Sequence, residues 1–246
     1  MQKQTLSQEG LKTIACVTML IDHIGAVLVL ECFHEATGES KAAWLEIYRT
    51  LRIIGRLAFP VYCFLLVEGV SYTKNTKSYG QRLMADMLLS EIPFDLAFYG
   101  KINWEHQNVM VTLLLGFLML EFAKRTPHLL LKLLMALPFA FISEKLGSDY
   151  GAKGIMVIAV FAFTRDAKYK HLWQFLGLWF VFSPNHLMLL NWRDGFRWTI
   201  QESAVFAVIP IALYSGRKTT NSKLLQQMYY LFYPVHLLIL YLIQII

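Results

Sequence analysis

The chain has 246 residues, of which 56% are hydrophobic and only 16% are charged, and its formal net charge is +6. Soluble globular domains carry about 25% charged residues, so this composition excludes an ordinary soluble enzyme and indicates a protein that resides in lipid. The positive charge is interpreted as a topology signal and not as a nucleic-acid binding surface, because lysine and arginine mark the cytoplasmic ends of membrane helices.

Apolar stretches close to the length of a membrane-spanning helix recur along the chain. A hydrocarbon core of about 30 Å needs about 20 apolar residues per helix. The predicted segments are Leu11–Leu30, Leu51–Tyr72, Leu83–Tyr99, Asn108–Ala123, Leu129–Ile142, Gly151–Phe163, Leu172–Phe182, Ile200–Tyr214 and Met228–Ile246. The sixth and seventh are short, so they fit tilted, re-entrant or broken helices. The sequence predicts an all-α bundle of about nine transmembrane helices, with eight to ten as the range, forming a single domain over residues 1–246.

Lysine and arginine residues are distributed unevenly between the two ends of these segments. The end that includes the N-terminus carries Lys3, Lys12, Lys74, Lys77, Arg82, Lys124, Arg125, Lys132, Arg165, Lys168, Lys170, Arg217, Lys218 and Lys223. The other end carries Lys41, Arg49, Arg52, Lys101, Lys145, Lys153, Arg193 and Arg197. The positive-inside rule therefore predicts a cytoplasmic N-terminus and an external C-terminus.

Ionisable side chains inside the predicted segments are candidates for function, since each costs at least about 2.5 kcal/mol on insertion scales. Asp22 and His23 are predicted to lie near the middle of the membrane, as is His236 in the last segment. The outer halves are predicted to hold Arg56, Glu91, Asp95, Asn108, Asp149, Tyr150, Lys153 and Glu202. We expect these residues to line one polar cavity that opens toward the outside.

Lys12 and His23 occupy one face of the first predicted helix, because eleven residues make about three helical turns. Lys12 is placed at the cytoplasmic mouth, where it suits a phosphate group. His23 is placed about 16 Å deeper, at 1.5 Å per residue, where a reaction centre would lie. The alternatives are a simple positive-inside anchor for Lys12 and a hydrogen-bonded core histidine for His23.

The carboxylates of the first and third segments have different predicted partners. Asp22 points about 100° away from His23 around the helix, so we expect it to pair with Arg52 or Arg56 or to cap a polar network, in either a structural or a catalytic role. Glu91 and Asp95 are four residues apart and share a helix face. That face is predicted to hold a protonated His23 or an incoming amine.

Other aromatic and sulfur-containing residues receive a structural interpretation. An interface belt, which membrane proteins build from tryptophan and tyrosine, is predicted to include Trp104, Trp192, Trp198, Tyr229 and Tyr230. The cysteines Cys16, Cys32 and Cys63 show no metal-binding or Cys-x-x-Cys spacing, so they are predicted to be buried residues without a chemical role.

Several sequence runs together resemble the TraX family of membrane acetyltransferases. They are LKTIACVTMLIDHIGA from Leu11, RIIGRLAFPVYCFLLVEG from Arg52, SEIPFD from Ser90, QNVMVTLLLG from Gln107, SDYGAKGI from Ser148 and YYLFYPVHLLIL from Tyr229. TraX proteins N-acetylate the amino terminus of conjugative pilin. They belong to a wider group that moves acyl groups from cytosolic acyl-CoA to external acceptors. The resemblance implies a multi-pass protein of the bacterial cytoplasmic membrane.

In the related acyltransferase-three proteins, an Arg in the first helix is followed after ten residues by a catalytic His. Lys12 stands in the Arg position of this sequence, which keeps the charge and loses the bidentate geometry. The resemblance implies acetyl-CoA as the acyl donor, no metal, and His23 as the general base that takes a proton from the acceptor amine or hydroxyl. Arg56 or Asn108 would donate to the developing oxyanion, and Glu91, Asp95 or His236 would orient His23 or the acceptor.

The predicted site has three parts. The catalytic group is His23, Asp22, Arg56, Glu91 and Asp95; the donor-binding group is Lys12, Asn108, Tyr233 and His236; the acceptor-binding group is Asp149, Tyr150 and Lys153. The acceptor is predicted to be an extracytoplasmic protein, such as a pilin, or a glycan. Direct transfer is favoured because no Ser or Cys visibly pairs with His23, and an acyl-His intermediate stays open.

A proton-coupled secondary transporter is the rival function. Asp22, Glu91, Asp95 and His236 would then form a proton relay and a substrate site. Transporters of this kind often contain two halves related by symmetry, and no internal repeat is found in this sequence.

Overall fold

The computed structural model describes residues 5–183, 199–220 and 222–246. The helices in chain order are α1 (Gln8–His23), a π-helical turn (Ile24–Val29), α2 (Leu30–Glu35), α3 (Gly38–Gly55), α4 (Ala58–Tyr72), α5 (Thr76–Tyr99), α6 (Val109–Lys124), α7 (Leu129–Lys145), α8 (Gly151–Thr164), α9 (Lys170–Phe182), a 3₁₀ helix (Ile200–Ala207), α10 (Val208–Ala212) and α11 (Lys223–Gln244). Over these three ranges the chain contains no β-strand, only two isolated bridges, so the prediction of an all-helical chain is confirmed for them.

The predicted segments agree with the observed helices except around the second one. Residues 31–50, which separate the first two predicted segments, contain α2 and most of α3 instead of a loop. Helix α3 carries the charged residues Glu39, Lys41, Glu46, Arg49 and Arg52. Because these charges interrupt any apolar run, a search for apolar stretches detects only the last turn of α3.

Among the residues that the structure describes, two continuous helical stretches are long and apolar enough to cross a membrane, judged by length and composition. They are Gln8–Glu35, with 28 residues, and Gly38–Tyr72, with 35 residues. In their most apolar parts, 44% and 67% of the residues are buried inside the fold, so the second stretch contributes more to the core. Of the residues used for the topology and belt predictions, Lys3, Trp192, Arg193, Arg197 and Trp198 lie outside the described part of the chain.

Large apolar side chains cover much of the outer surface. Those that are at least half exposed on three helices include Leu88, Leu89 and Ile92 of α5, Leu130, Leu137 and Phe141 of α7, and Ile239 and Ile243 of α11. Soluble monomers rarely expose contiguous apolar patches larger than a few hundred Å². An outer surface of this kind is typical of helices that face lipid.

Polar side chains next to the apolar runs determine where several helices begin. Ser7, Asn75, Asn108 and Ser222 each accept a hydrogen bond from a backbone N–H in the first turn of the helix that follows. Such N-caps satisfy donors that have no partner within the helix. Helix α5 ends at Gly100, whose φ of 65° is the left-handed conformation common after a helix C-terminus.

The central part of the bundle is built around α1. Helix α1 packs against α3, α4 and α11, while α5 packs against both α6 and α11. The contact between α1 and α3 is close because Gly55 has no side chain: a Cβ atom there would lie 2.6 Å from the backbone Cα of Asp22. Gly55 thereby lets α3 bring Arg52 and Arg56 up to the polar end of α1.

The helix changes from α-helical to π-helical geometry just after His23. Six residues, Ile24–Val29, form a π-helical turn between α1 and α2. Insertions of π-helix into α-helices are rare and occur frequently at functional sites. This turn follows directly on the histidine that the sequence marks as the candidate base.

Candidate functional site

A cavity of about 330 Å³ runs along the inner face of α1, and we call it the α1 cavity. Residues from Gln8 to His23 of α1 line it, a span of about 22 Å at 1.5 Å per residue. Side chains of α3, α4, α5, the start of α6, the turn before α8 and α11 complete its wall. The α1 cavity therefore connects the two ends of α1 through the interior of the protein.

Lys12 lines one end of the α1 cavity, as the spacing along α1 predicts. Its Nζ atom lies 5.4 Å from the ring centroid of Tyr229, in the range of a cation–π contact. Tyr79 and Tyr230 also line the wall at this end. The interpretation of Tyr229 and Tyr230 as members of an interface belt is thus incomplete, because both side chains face an internal cavity.

His23 lines the other end of the α1 cavity and is held by residues of α5 and α11. Its Nδ1 atom lies 2.6 Å from Nε2 of His236, and Nδ1 of His236 lies 2.6 Å from the carbonyl oxygen of Phe232. Phe98 meets the His23 ring edge-on at 5.4 Å, and Tyr233 lies 6.0 Å away. Of the three residues proposed to orient His23, the structure places His236 against it.

Asp22 forms the charged centre next to His23. Its carboxylate accepts a hydrogen bond of 2.5 Å from Arg52 and two from Arg56, at 2.5 and 3.2 Å. The expected pairing of Asp22 with these arginines is confirmed, and both take part. Arg56 also donates to Gln201 at 3.0 Å and lies 5.8 Å from the ring centroid of Tyr150. Most of the Arg56 guanidinium is therefore engaged, although the residue still lines the α1 cavity.

Asp149 and Tyr150 line the α1 cavity beside Arg56. Tyr150 has a φ of 66°, the only positive value at a non-glycine residue within the described ranges. Its ring stacks on Phe59 at 3.7 Å, which helps to hold this unfavourable conformation. The Asp149 side chain is open to the cavity, yet the surrounding protein withdraws it from bulk water and raises its pKa, against the opposing effect of Arg56.

Three residues predicted to act at the reaction centre have other partners. Glu91 accepts hydrogen bonds from the side chain and backbone of Asn108. Asp95 accepts one from the backbone N–H of Asn103 at 2.9 Å. Asn108 caps α6 and also donates to the carbonyl of Met87 at 3.0 Å. Glu91 and Asp95 therefore form no hydrogen bond with His23 in the described part of the protein, and the Asn108 amide group donates to Met87 and Glu91. Their predicted roles toward the acceptor and the oxyanion stay predictions.

The remaining predicted positions divide between the cavity wall and the rest of the protein. Tyr233 is buried and lines the α1 cavity. Lys153 is exposed and does not line it, so its predicted role in acceptor binding lacks structural support. Glu202 is buried in a capping box with Thr199 and accepts a hydrogen bond from Ser183 at 2.9 Å. The expected convergence of all outer-half residues on one cavity is thus only partly correct.

Asp86, Cys16 and Tyr62 line the α1 cavity and were not predicted to do so. Asp86 is buried and forms no ion pair with any residue that the structure describes. The sequence did contain a signal for Asp86, because this ionisable residue lies inside the predicted apolar segment Leu83–Tyr99. Cys16 lies two turns from His23 on α1, and its Sγ atom is 3.2 Å from the hydroxyl of Tyr62.

Comparison with known proteins gives a family assignment. The model of the family described as "TraX protein" matches residues 7–244. A curated relative from Dichelobacter nodosus, described as "Probable fimbrial assembly protein FimC, serogroup H1", is 29% identical in an alignment that covers 94% of this chain and 92% of the relative. No solved structure matches this chain. Because the family model spans nearly the whole sequence, including both ends of the α1 cavity, the chain belongs to the TraX family.

Proposed function

We propose that this protein is a membrane-embedded acetyltransferase that uses cytosolic acetyl-CoA and modifies an amine or hydroxyl outside the cytoplasm. The observation that carries the proposal is the α1 cavity, which has a cation at one end and a histidine at the other. Lys12 and His23 are about 16 Å apart along α1. CoA has phosphate groups at one end of a long, thin arm and the thioester at the other. Such a molecule suits a passage that has a lysine at one end and a histidine at the other.

In this mechanism Lys12 attracts the phosphates of the donor, and the acyl thioester reaches His23. The acceptor enters next to Asp149 and Tyr150 at the other end of the α1 cavity. His23 removes the proton of the acceptor as its lone pair attacks the acyl carbon, a contribution of about 10² to 10⁴ in rate. The C–S bond then breaks, and the thiolate of CoA leaves and takes the proton from His23. Arg56, which keeps N–H groups beyond those it gives to Asp22 and Gln201, supplies positive charge for the oxyanion.

The family and the relative together suggest the class of acceptor. The relative is described as a fimbrial assembly protein, and the chain belongs to the TraX family. We therefore propose a pilus or fimbrial subunit, modified at its amino terminus, as the first acceptor to examine. Multi-pass insertion in the bacterial cytoplasmic membrane is part of this proposal, supported by the two long apolar helical stretches and the exposed apolar surface.

The test uses purified protein in detergent, acetyl-CoA with a labelled acetyl group, and an envelope fraction from cells that lack this protein. We expect label to appear on envelope material together with release of free CoA. His23→Ala should abolish the transfer, whereas His34→Ala, an exposed histidine of α2, should leave it unchanged. Equal transfer by the His23→Ala variant and the wild type would refute the assignment of His23.

One observation favours a second candidate, a proton-coupled transporter. Asp86 is a buried carboxyl group in the wall of the α1 cavity, and no ion pair compensates it in the described part of the protein. Such groups inside membrane proteins frequently belong to proton pathways. Uptake into proteoliposomes that depends on a pH gradient and needs no acyl-CoA would support a transporter and oppose the enzyme.

A further inference from the structure

His23, which lines one end of the α1 cavity, and His236, which lies against it, form a hydrogen-bonded chain that has a definite direction. The chain ends at the carbonyl oxygen of Phe232, which lies 2.6 Å from Nδ1 of His236. A carbonyl oxygen only accepts hydrogen bonds, so Nδ1 of His236 carries a hydrogen. In a neutral imidazole the other nitrogen then has a lone pair. Nε2 of His236 is therefore the acceptor in its 2.6 Å contact with Nδ1 of His23.

The same reasoning fixes the protonation of His23. Because Nε2 of His236 accepts, Nδ1 of His23 donates, and Nε2 of a neutral His23 has a free lone pair. No residue in the described ranges forms a hydrogen bond with this nitrogen, and His23 lines the α1 cavity. The nitrogen that could accept a proton from a substrate is thus the one left available.

The geometry of the two rings supports a hydrogen bond in the plane of both. The ring planes differ by 6°, and their centroids are 4.9 Å apart. The 2.6 Å distance between the nitrogens plus the two ring radii accounts for that separation, so the rings lie end to end and not face to face. An N–H bond of imidazole lies in the ring plane, and hydrogen bonds are strongest when they are close to linear.

We propose that His236 is a positioning residue that holds His23 in the tautomer with hydrogen on Nδ1 and a lone pair on Nε2. The catalytic part of this inference rests on the proposed acetyltransferase function. During transfer, Nε2 of His23 takes the acceptor proton and the acceptor atom bonds to the acyl carbon. The C–S bond then breaks, and the departing thiolate of CoA takes that proton from Nε2 of His23. His236 keeps its own proton throughout, and its Nε2 accepts a hydrogen bond from the His23 imidazolium.

His236 takes the place that a carboxylate occupies in many catalytic histidine systems. There the carboxylate accepts from Nδ1–H, sets the tautomer and stabilises the imidazolium. The carboxylate nearest in sequence, Asp22, is engaged with Arg52 and Arg56. Helix α11 instead brings a neutral acceptor, and Pro234 and Tyr233 beside it belong to the buried face of that helix. A neutral partner orients the base without adding a negative charge to the reaction centre.

Two variants of His236 distinguish its proposed positioning of His23 from the space that its ring fills. His236→Gln keeps an acceptor oxygen for His23 and a donor for Phe232, whereas His236→Phe keeps a ring and removes the acceptor. We expect His236→Phe to lower kcat by about 10²-fold or more, with KM for acetyl-CoA changed by less than about threefold. His236→Gln should stay within about tenfold of the wild-type kcat. Equal kcat for His236→Phe and the wild type would overturn the proposal.

The tautomer is measured without turnover by ¹⁵N NMR of the full chain labelled at histidine. Loss of one signal pair in His23→Gln assigns the His23 resonances among the seven histidines. The proposal expects Nδ1 of His23 to be protonated and Nε2 to be unprotonated in the wild type. The reverse pattern would overturn it, even if His236→Phe fails to fold. Absence of acetyl transfer together with the expected tautomer would refute the proposed function and leave the histidine pairing intact.

Discussion

At the scale of single residues, the ion pairs around Asp22 stabilise the polar end of α1. Asp22 and Arg56 expose only 8% and 10% of their side chains in the ion pair that they form, so neither charge is well solvated. Removal of one partner from a buried ion pair leaves an uncompensated charge, which costs about 3–5 kcal/mol. Here loss of the carboxylate would leave Arg52 as well as Arg56 without its anion.

We therefore expect Asp22→Asn to lower stability by about 3–5 kcal/mol, measured by thermal unfolding in detergent. Glu46→Gln is the matched control, because Glu46 forms an exposed pair with Arg49, and such pairs contribute about 0–1 kcal/mol. Equal melting temperatures for the two variants would contradict a structural role. A stable Asp22→Asn protein with low kcat would instead favour the catalytic interpretation of Asp22.

At the scale of helices, α1 supplies one continuous wall of the cavity from Lys12 to His23, and the proposed path of the donor runs along it. Cys16 stands on that wall between the two ends, one turn beyond Lys12, whereas Cys63 of α4 is fully buried and does not line the cavity. The proposed donor path therefore brings the CoA arm close to one thiol and leaves the other out of reach.

We expect bound acetyl-CoA to slow the reaction of Cys16 with N-ethylmaleimide in a Cys32→Ser variant. Mass spectrometry of the digested protein would follow Cys16 and Cys63 separately, and Cys63 should stay unmodified with or without acetyl-CoA. Unchanged labelling of Cys16 at saturating acetyl-CoA would place the donor elsewhere.

At the scale of the whole molecule, helical periodicity in the sequence predicted which residues share one face of a helix. It did not predict which side chains from different helices contact each other. The common face of Lys12 and His23 follows from helical geometry alone, and both residues line the α1 cavity. The partner of His23 depends on how α11 packs against the bundle, so the sequence left His236, Glu91 and Asp95 as equal choices. Glu91 and Asp95 share a face as predicted, but packing of α5 against α6 directs Glu91 toward Asn108.

Some other features of the fold lacked a clear sequence signal. The charged helix α3 did not resemble a membrane segment, although it supplies Arg52 to Asp22. Nothing in the apolar run after His23 indicates a π-helical turn. The left-handed conformation of Tyr150 was also invisible, because tyrosine rarely adopts it and the stacking on Phe59 is a tertiary contact.

The structure of the protein bound to a non-reactive thioether analogue of acetyl-CoA tests the central claim most directly. We expect the analogue in the α1 cavity, with its phosphates beside Lys12 and its sulfur in contact with His23. Cys16 and Asp86 should then flank the connecting arm. An analogue that binds outside this cavity, or in it with the sulfur at the Lys12 end, would contradict the account.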